Sequence, residues 1–214
     1  MTRPEPLPET RVETRPVRRD EIGDAIVVAA RAFFDDPLMA FFLPTWRSQH
    51  LGLVSFFAAP IHDCANHGEV WGVFVDERVR GVAAWLPPGV GLPSRGRRAI
   101  EQLRRGAPGA LRTGPRLRAA IALMNTVAAS HPREPHWYLG VLAVDPAFQA
   151  RGLGGSLLAP HHARADGDVL PCYLETQKPE NLAYYRRFGY EVVDEIQVGS
   201  CPPIWTMERH PRRD

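Results

Sequence analysis

His136-Trp-Tyr-Leu-Gly-Val-Leu-Ala-Val-Asp-Pro-Ala-Phe-Gln-Ala-Arg-Gly-Leu-Gly-Gly-Ser-Leu-Leu-Ala-Pro160 changes character at Asp145-Pro146, and its reading decides the fold. Residues 137 to 144 are apolar and β-branched, which predicts a strand. Proline donates no hydrogen bond and biases the residue before it toward extended geometry, so the ladder stops at Asp145 with backbone left unpaired. Gly152, Gly154 and Gly155 then fall within four residues, at the mouth of a helix expected from Gly152 to about Ala165. Glycines without Cβ atoms let main-chain N–H groups approach a ligand, and a helix N-terminus with free amides is an anion site, most often for phosphate. The dinucleotide fingerprint fails because Leu157 stands where its third glycine belongs, and the Walker pattern fails because no lysine precedes Ser156.

Upstream, Asp20 is a candidate N-cap for an amphipathic helix carrying Ile22, Ala25, Ile26, Ala29 and Phe33 at helical spacing. Residues 69 to 86 alternate on both sides of a polar Asp-Glu-Arg turn and predict an antiparallel hairpin. Residues 95 to 130 are arginine-rich and read as short helices with solvated basic faces, broken near Pro108-Gly109 and Gly114-Pro115. Downstream of the glycine stretch come a strand in Val-Leu-Pro-Cys-Tyr-Leu-Glu-Thr, a short helix near Asn181, and two strands near residues 189 to 196 and 203 to 209. Strands alternating with helices imply a mixed α/β sheet with helices on both faces. Residues 1 to 16 mix prolines and charges without apolar periodicity and read as a disordered tail, leaving a single domain over residues 17 to 210.

Composition narrows the function. The balance of 26 basic against 24 acidic residues gives a formal charge of +2, far from the excess that a phosphate-backbone binder carries, so no nucleic-acid partner is expected. Cys64, Cys172 and Cys201 are odd in number, widely spaced and without metal-ligand spacing, which predicts neither disulfides nor a metal site and fits a reducing cytoplasm. No long apolar span or export signal is visible, so no membrane partner is expected.

Val144, Pro146, Gln149, Gly152 and Gly154 spell V-x-P-x-x-Q-x-x-G-x-G, and about thirty residues later Asn181, Tyr185, Gly189 and Tyr190 form a second segment. Together, in this order and separation, they resemble the GNAT N-acetyltransferase superfamily. The segments around residues 131 to 146, 174 to 190 and 202 to 209 are similar to the puromycin N-acetyltransferase group within it. The resemblance implies a mixed, mostly antiparallel sheet and acetyl-CoA as co-substrate. It implies that the main chain of Leu142, Ala143 and Val144 pairs with the pantetheine arm, and that Gln149, Ala150, Arg151, Gly152, Leu153, Gly154 and Gly155 hold the pyrophosphate. The Arg151 side chain is either a charge partner or solvated.

The implied chemistry is attack of a neutral amine on a thioester, with a tetrahedral oxyanion and a departing thiolate. Tyr185 occupies the place of the motif tyrosine that protonates the thiolate, four residues after Asn181 and on the same helix face, whereas Tyr184 is expected to point elsewhere. Asn181 either hydrogen-bonds the pantetheine or caps its helix. The strand before the glycines has no acidic residue, so Glu175 is the candidate base, directly or through water. Phe34, Asp35 and Asp36 are candidates for the acceptor side, the two carboxylates to attract a cationic amine, although acidic residues before a proline also end helices. The resemblance points to a primary amine on a small molecule, antibiotic-like or another amine metabolite. Protein lysine or N-terminal acetylation and a non-catalytic acetyl-CoA sensor are the alternatives, and the chain is expected to act as a monomer or homodimer.

Overall fold

The computed structural model describes residues 11 to 91 and 96 to 212. Seven strands, β1 (Val12–Pro16), β2 (Glu69–Val75), β3 (Arg78–Leu86), β4 (Trp137–Val144), β5 (Cys172–Thr176), β6 (Tyr190–Ile196) and β7 (Ile204–Arg209), form one sheet in the order β1-β2-β3-β4-β5-β7-β6. Only β4 and β5 run parallel; every other neighbouring pair is antiparallel. The expected mixed α/β sheet with helices on both faces is therefore present.

The helices divide between two cores. α1 (Ile22–Ala32), α2 (Pro37–Phe42), α3 (Trp46–His67) and α5 (Leu117–Ser130) pack on one face, with α4 (Gly96–Ala110) lying against α3. α6 (Leu153–Asp168) and α7 (Pro179–Arg186) cover the other. In α1, Ile22, Ala25, Ile26 and Ala29 are buried at helical spacing, as the pattern predicts. The hairpin also forms as expected, with the turn at Asp76 and Glu77. Both take left-handed backbone (φ 49° and 65°), the geometry that matches a two-residue turn to strand twist.

Two expectations at the N-terminal end are corrected. Residues 1 to 10 lie outside the described residues, but Val12–Pro16 are not a tail: they add an edge strand that pairs with β2 from Val12↔Val75 to Pro16↔Trp71. Its backbone hydrogen bonds outweigh the lack of apolar side chains, a tertiary effect that composition cannot reveal. Asp20 does not cap the first helix. Glu21 does the local work, accepting the Arg18 backbone N–H at 2.8 Å and gripping the Arg15 guanidinium through both carboxylate oxygens at 2.9 and 2.8 Å.

Among the described residues no helix is long and apolar enough to cross a membrane, and no group of His, Cys, Asp and Glu has the arrangement of a metal site. The three cysteines are buried free thiols.

Candidate functional site

β4 and β5 pair only at Trp137↔Cys172, Tyr138↔Tyr173 and Leu139↔Leu174. Beyond Leu139 they part, while β4 stays paired with β3 on its other edge as far as Gly81↔Val144. Residues 140 to 144 thus have a sheet edge facing an opening in the middle of the sheet, and Leu142, Ala143 and Val144 lie along it. Extended main chain without a ladder partner presents N–H and C=O groups ready to pair with an extended ligand.

The strand ends as the proline predicts. Asp145 is 1% exposed; its Oδ1 accepts the Ala147 N–H at 3.1 Å, and its Oδ2 faces Arg31 at 3.2 Å and Arg80 at 3.6 Å. This buried carboxylate fixes the single turn Pro146–Phe148. Gln149 reaches back, its side-chain amide donating to the Val144 carbonyl at 3.0 Å. Ala150 (φ 60°) and Gly152 (φ 79°) adopt left-handed backbone around Arg151, and Gly152 is the N-cap of α6. The Gly152 carbonyl accepts from the Gly155 and Ser156 amides, and Leu153 and Gly154 occupy the first two helical positions, whose amides have no intrahelical acceptor. The Arg151 side chain is exposed, donates to the Ala147 carbonyl at 3.2 Å and lies over the Phe148 ring, so its resting place is the turn.

Gly154 and Gly155 have a packing function that the sequence reading does not anticipate. A Cβ on Gly154 would overlap the Tyr184 hydroxyl and lie 3.3 Å from its Cζ, and a Cβ on Gly155 would meet Phe188 at 3.2 Å. These glycines let the aromatic side of α7 and the residues following it close on the first turn of α6. The expectation for Tyr184 is corrected accordingly: it points at the glycine turn. Its hydroxyl is buried with no hydrogen-bond partner among the described residues, and burial raises its pKa. Tyr185 lies deeper, 7% exposed in the core between α6, α7 and the sheet, its ring 5.7 Å from that of Tyr190; burial pushes its pKa up. Helical spacing correctly separates the two tyrosines but cannot say which face meets the glycine turn.

Asn181 does not cap its helix through its side chain. It sits in the first turn of α7, donating to the Thr176 hydroxyl at 2.9 Å and so tying α7 to the end of β5. Glu175 stands where β4 and β5 part. Strand alternation places it with Tyr173 on the sheet face opposite α6 and α7, since Cys172 and Leu174 belong to the core under those helices. Its Oε2 accepts the Tyr138 hydroxyl at 2.9 Å and its Oε1 lies 2.9 Å from His131 Nε2. Sequence spacing gives no sign of Tyr138, which meets Glu175 through the parallel β4–β5 register, or of His131, which the end of α5 brings there.

Of the acceptor-side candidates, Asp36 is corrected. It is 1% exposed, it caps α2 by accepting the Leu38 and Met39 amides at 3.0 and 3.2 Å, and its second oxygen accepts from Gln177 at 3.0 Å. A carboxylate so committed is a structural cap, and burial raises its pKa. Asp35 is exposed, and Phe34 is half-buried against the α1–α3 core.

A seven-stranded sheet that opens between two parallel strands, beside a glycine turn starting a helix, defines the class of acetyltransferase folds. The family model described as an acetyltransferase (GNAT) domain matches residues 118–192, from α5 to the start of β6. From α5 to the start of β6 the chain is thus similar to a GNAT acetyltransferase domain, and the described residues as a whole share that fold. Among solved structures it is similar to a histone acetyltransferase HPA2 and related acetyltransferase from Corynebacterium glutamicum (TM-score 0.67, 21% identity, 95% of this chain and 98% of that one). It is also similar to arylalkylamine N-acetyltransferase 2 from Aedes aegypti (TM-score 0.59, 11% identity, 94% and 99%). A third similar structure is a GNAT family acetyltransferase from Brucella melitensis in complex with acetyl-CoA (TM-score 0.51, 17% identity, 95% and 92%).

Proposed function

We propose that the protein transfers an acetyl group from acetyl-CoA to the primary amine of a small molecule, antibiotic-like or another amine metabolite. The observation that carries this reading is the parting of β4 from β5 beyond Leu139, which leaves residues 140 to 144 as a main-chain edge unpaired with β5, its last carbonyl held by Gln149, leading to the amides at the start of α6. An extended pantetheine arm fits the edge, and a pyrophosphate fits the amides of Leu153 and Gly154 beneath the left-handed Gly152. A main-chain amide of the β4 edge placed at the developing oxyanion is worth about 3 to 4 kcal/mol.

The two candidate proton-transfer groups lie on opposite faces of the opening. Glu175 faces the α1–α5 side, suited to receive the amine proton, and Tyr185 belongs to the α6–α7 side, suited to protonate the thiolate. The raised pKa of Tyr185 keeps its hydroxyl protonated until that moment. A small acceptor is favoured over a peptide because the end of α5 closes over Glu175: the carboxylate side chain is 11% exposed and His131, just after α5, is 12% exposed. A peptide needs an open groove there.

The test is thiol release from acetyl-CoA by the purified protein, run across aminonucleosides, aminoglycosides, polyamines, amino acids and peptides. Turnover concentrated on one class of small amines is the expected result. Preference for peptides over every small amine would replace it with protein acetylation, and acetyl-CoA binding without turnover would leave a sensor.

A further inference from the structure

We propose that His131 is a positioning residue for Glu175 and the partner that carries its proton to solvent, an inference that rests on the reading of this site as an acetyl-transfer centre. Four aromatic rings and one carboxylate meet at the place where β4 and β5 separate. Tyr138 donates to Glu175 Oε2 at 2.9 Å and locks that oxygen. Glu175 Oε1 and His131 Nε2 approach to 2.9 Å, yet both are buried, and neither makes a hydrogen bond of good geometry with any described residue. A buried acceptor and a buried ring nitrogen left open side by side is a costly arrangement, and such exceptions call for a ligand or a function.

The His131 ring is held by packing. It lies 4.6 Å from Tyr138 at 70° and 4.9 Å from Tyr173 at 55°, with His136 beyond at 5.9 Å. Its orientation is therefore set before any proton arrives, which is what positioning requires. Other groups around the carboxylate are Tyr173 on the same strand, Thr206 paired to it across β7, Asp194 on β6 toward Tyr173, and Cys64 of α3 toward Tyr138. No lysine or arginine is among these, so the histidine is the group placed to balance the carboxylate.

The proton count closes. The acceptor arrives as an ammonium and gives one proton to the Glu175–His131 pair. Its nitrogen lone pair then attacks the thioester carbonyl, forming the C–N bond. The C–S bond breaks, the thiolate takes a proton from Tyr185, and the second proton lost by the nitrogen restores the tyrosine. One proton per turnover remains on the pair and leaves through His131, whose ring keeps a small exposed edge.

The experiment uses the full chain with its best small-amine acceptor. His131→Phe fills the same aromatic setting, so it is expected to fold and to bind acetyl-CoA within twofold of the unsubstituted protein. Its kcat/KM for the amine is expected to fall ten- to hundredfold, with loss of the acidic limb of the pH profile beyond that set by the amine itself. His131→Gln keeps a donor beside Oε1 but cannot titrate, and is expected to preserve the amine KM while lowering kcat. Unchanged kcat/KM and an unchanged acidic limb in His131→Phe would overturn the proposal. A second readout needs no acceptor: in the cofactor-free protein, Glu175→Gln is expected to change the His131 ring resonances seen by NMR. His131 ring resonances indifferent to Glu175→Gln overturn the pairing, whereas coupling without turnover on any amine counts against the acetyl-transfer reading alone.

Discussion

Replacing Gly154 by alanine tests how α6 and α7 are joined at the glycine turn. The added Cβ overlaps the Tyr184 hydroxyl and comes within 3.3 Å of Cζ, so the ring must shift against Tyr185 and Phe188, whose centroids stand 5.3 and 5.1 Å away. Overpacking of this kind costs about 1 to 3 kcal/mol, and the helix-propensity gain of alanine over glycine returns about 0.8 to 1. The net is a destabilisation of about 1 kcal/mol, or a fall in Tm of about 2 to 4 °C for a domain of this size. Tyr184→Phe removes a buried hydroxyl without a partner and is expected to stabilise the ligand-free protein by about 1 kcal/mol. With both substitutions, the overlap is gone and only the propensity gain remains, so the pair is expected to couple by about 1 to 2 kcal/mol. Urea unfolding of the four proteins measures this directly. Additivity within about 0.5 kcal/mol would refute the contact between the Tyr184 hydroxyl and the glycine turn.

Tyr185→Phe is expected to lower kcat about a hundredfold while leaving the acetyl-CoA KM nearly unchanged, and Tyr184→Phe to have a small effect on kcat; equal losses would remove Tyr185 from the acid role. Asp36→Ala is expected to cost about 1 to 2 kcal/mol in urea unfolding by stripping the cap of α2 and orphaning Gln177, whereas the exposed Asp35→Ala should stay within about 0.5 kcal/mol. Burial lowers His161 to about 4 and His162 to about 3, so in the folded protein both stay neutral where the unfolded chain, titrating near 6.5, binds protons. Their contribution is fully present above about pH 6.5 and is lost as pH falls toward 4, by up to about 1.4 kcal/mol per pH unit for each ring. His161→Phe, which keeps the stack on Trp85, should halve that slope in melts taken between pH 6.5 and 5, and a flat stability across this range would contradict it.

Local chemistry made much of this protein legible in its sequence. Periodicity placed α1, the β2–β3 hairpin and β4, because each buries one face and must repeat with its own geometry. Asp145-Pro146 announced the strand end, since a missing donor acts within one or two residues. Gln149 to Gly155 announced the turn into α6, and the Asn181–Tyr185 spacing placed α7, both being short segments that carry their conformational reasons with them. What depends on strands distant in the chain was decided by the tertiary structure. Val12–Pro16 became a strand only because the β2 edge offered it hydrogen bonds. Asp36 became a cap tied to Gln177, 141 residues away, and not a free carboxylate. Tyr184 came to lie against the glycine turn because the face of α7 that meets α6 is chosen by the space left at Gly154. Tyr138 and Glu175 meet because β4 and β5 run parallel for three residue pairs and then part, and a register between strands more than thirty residues apart leaves no mark in either strand's own pattern.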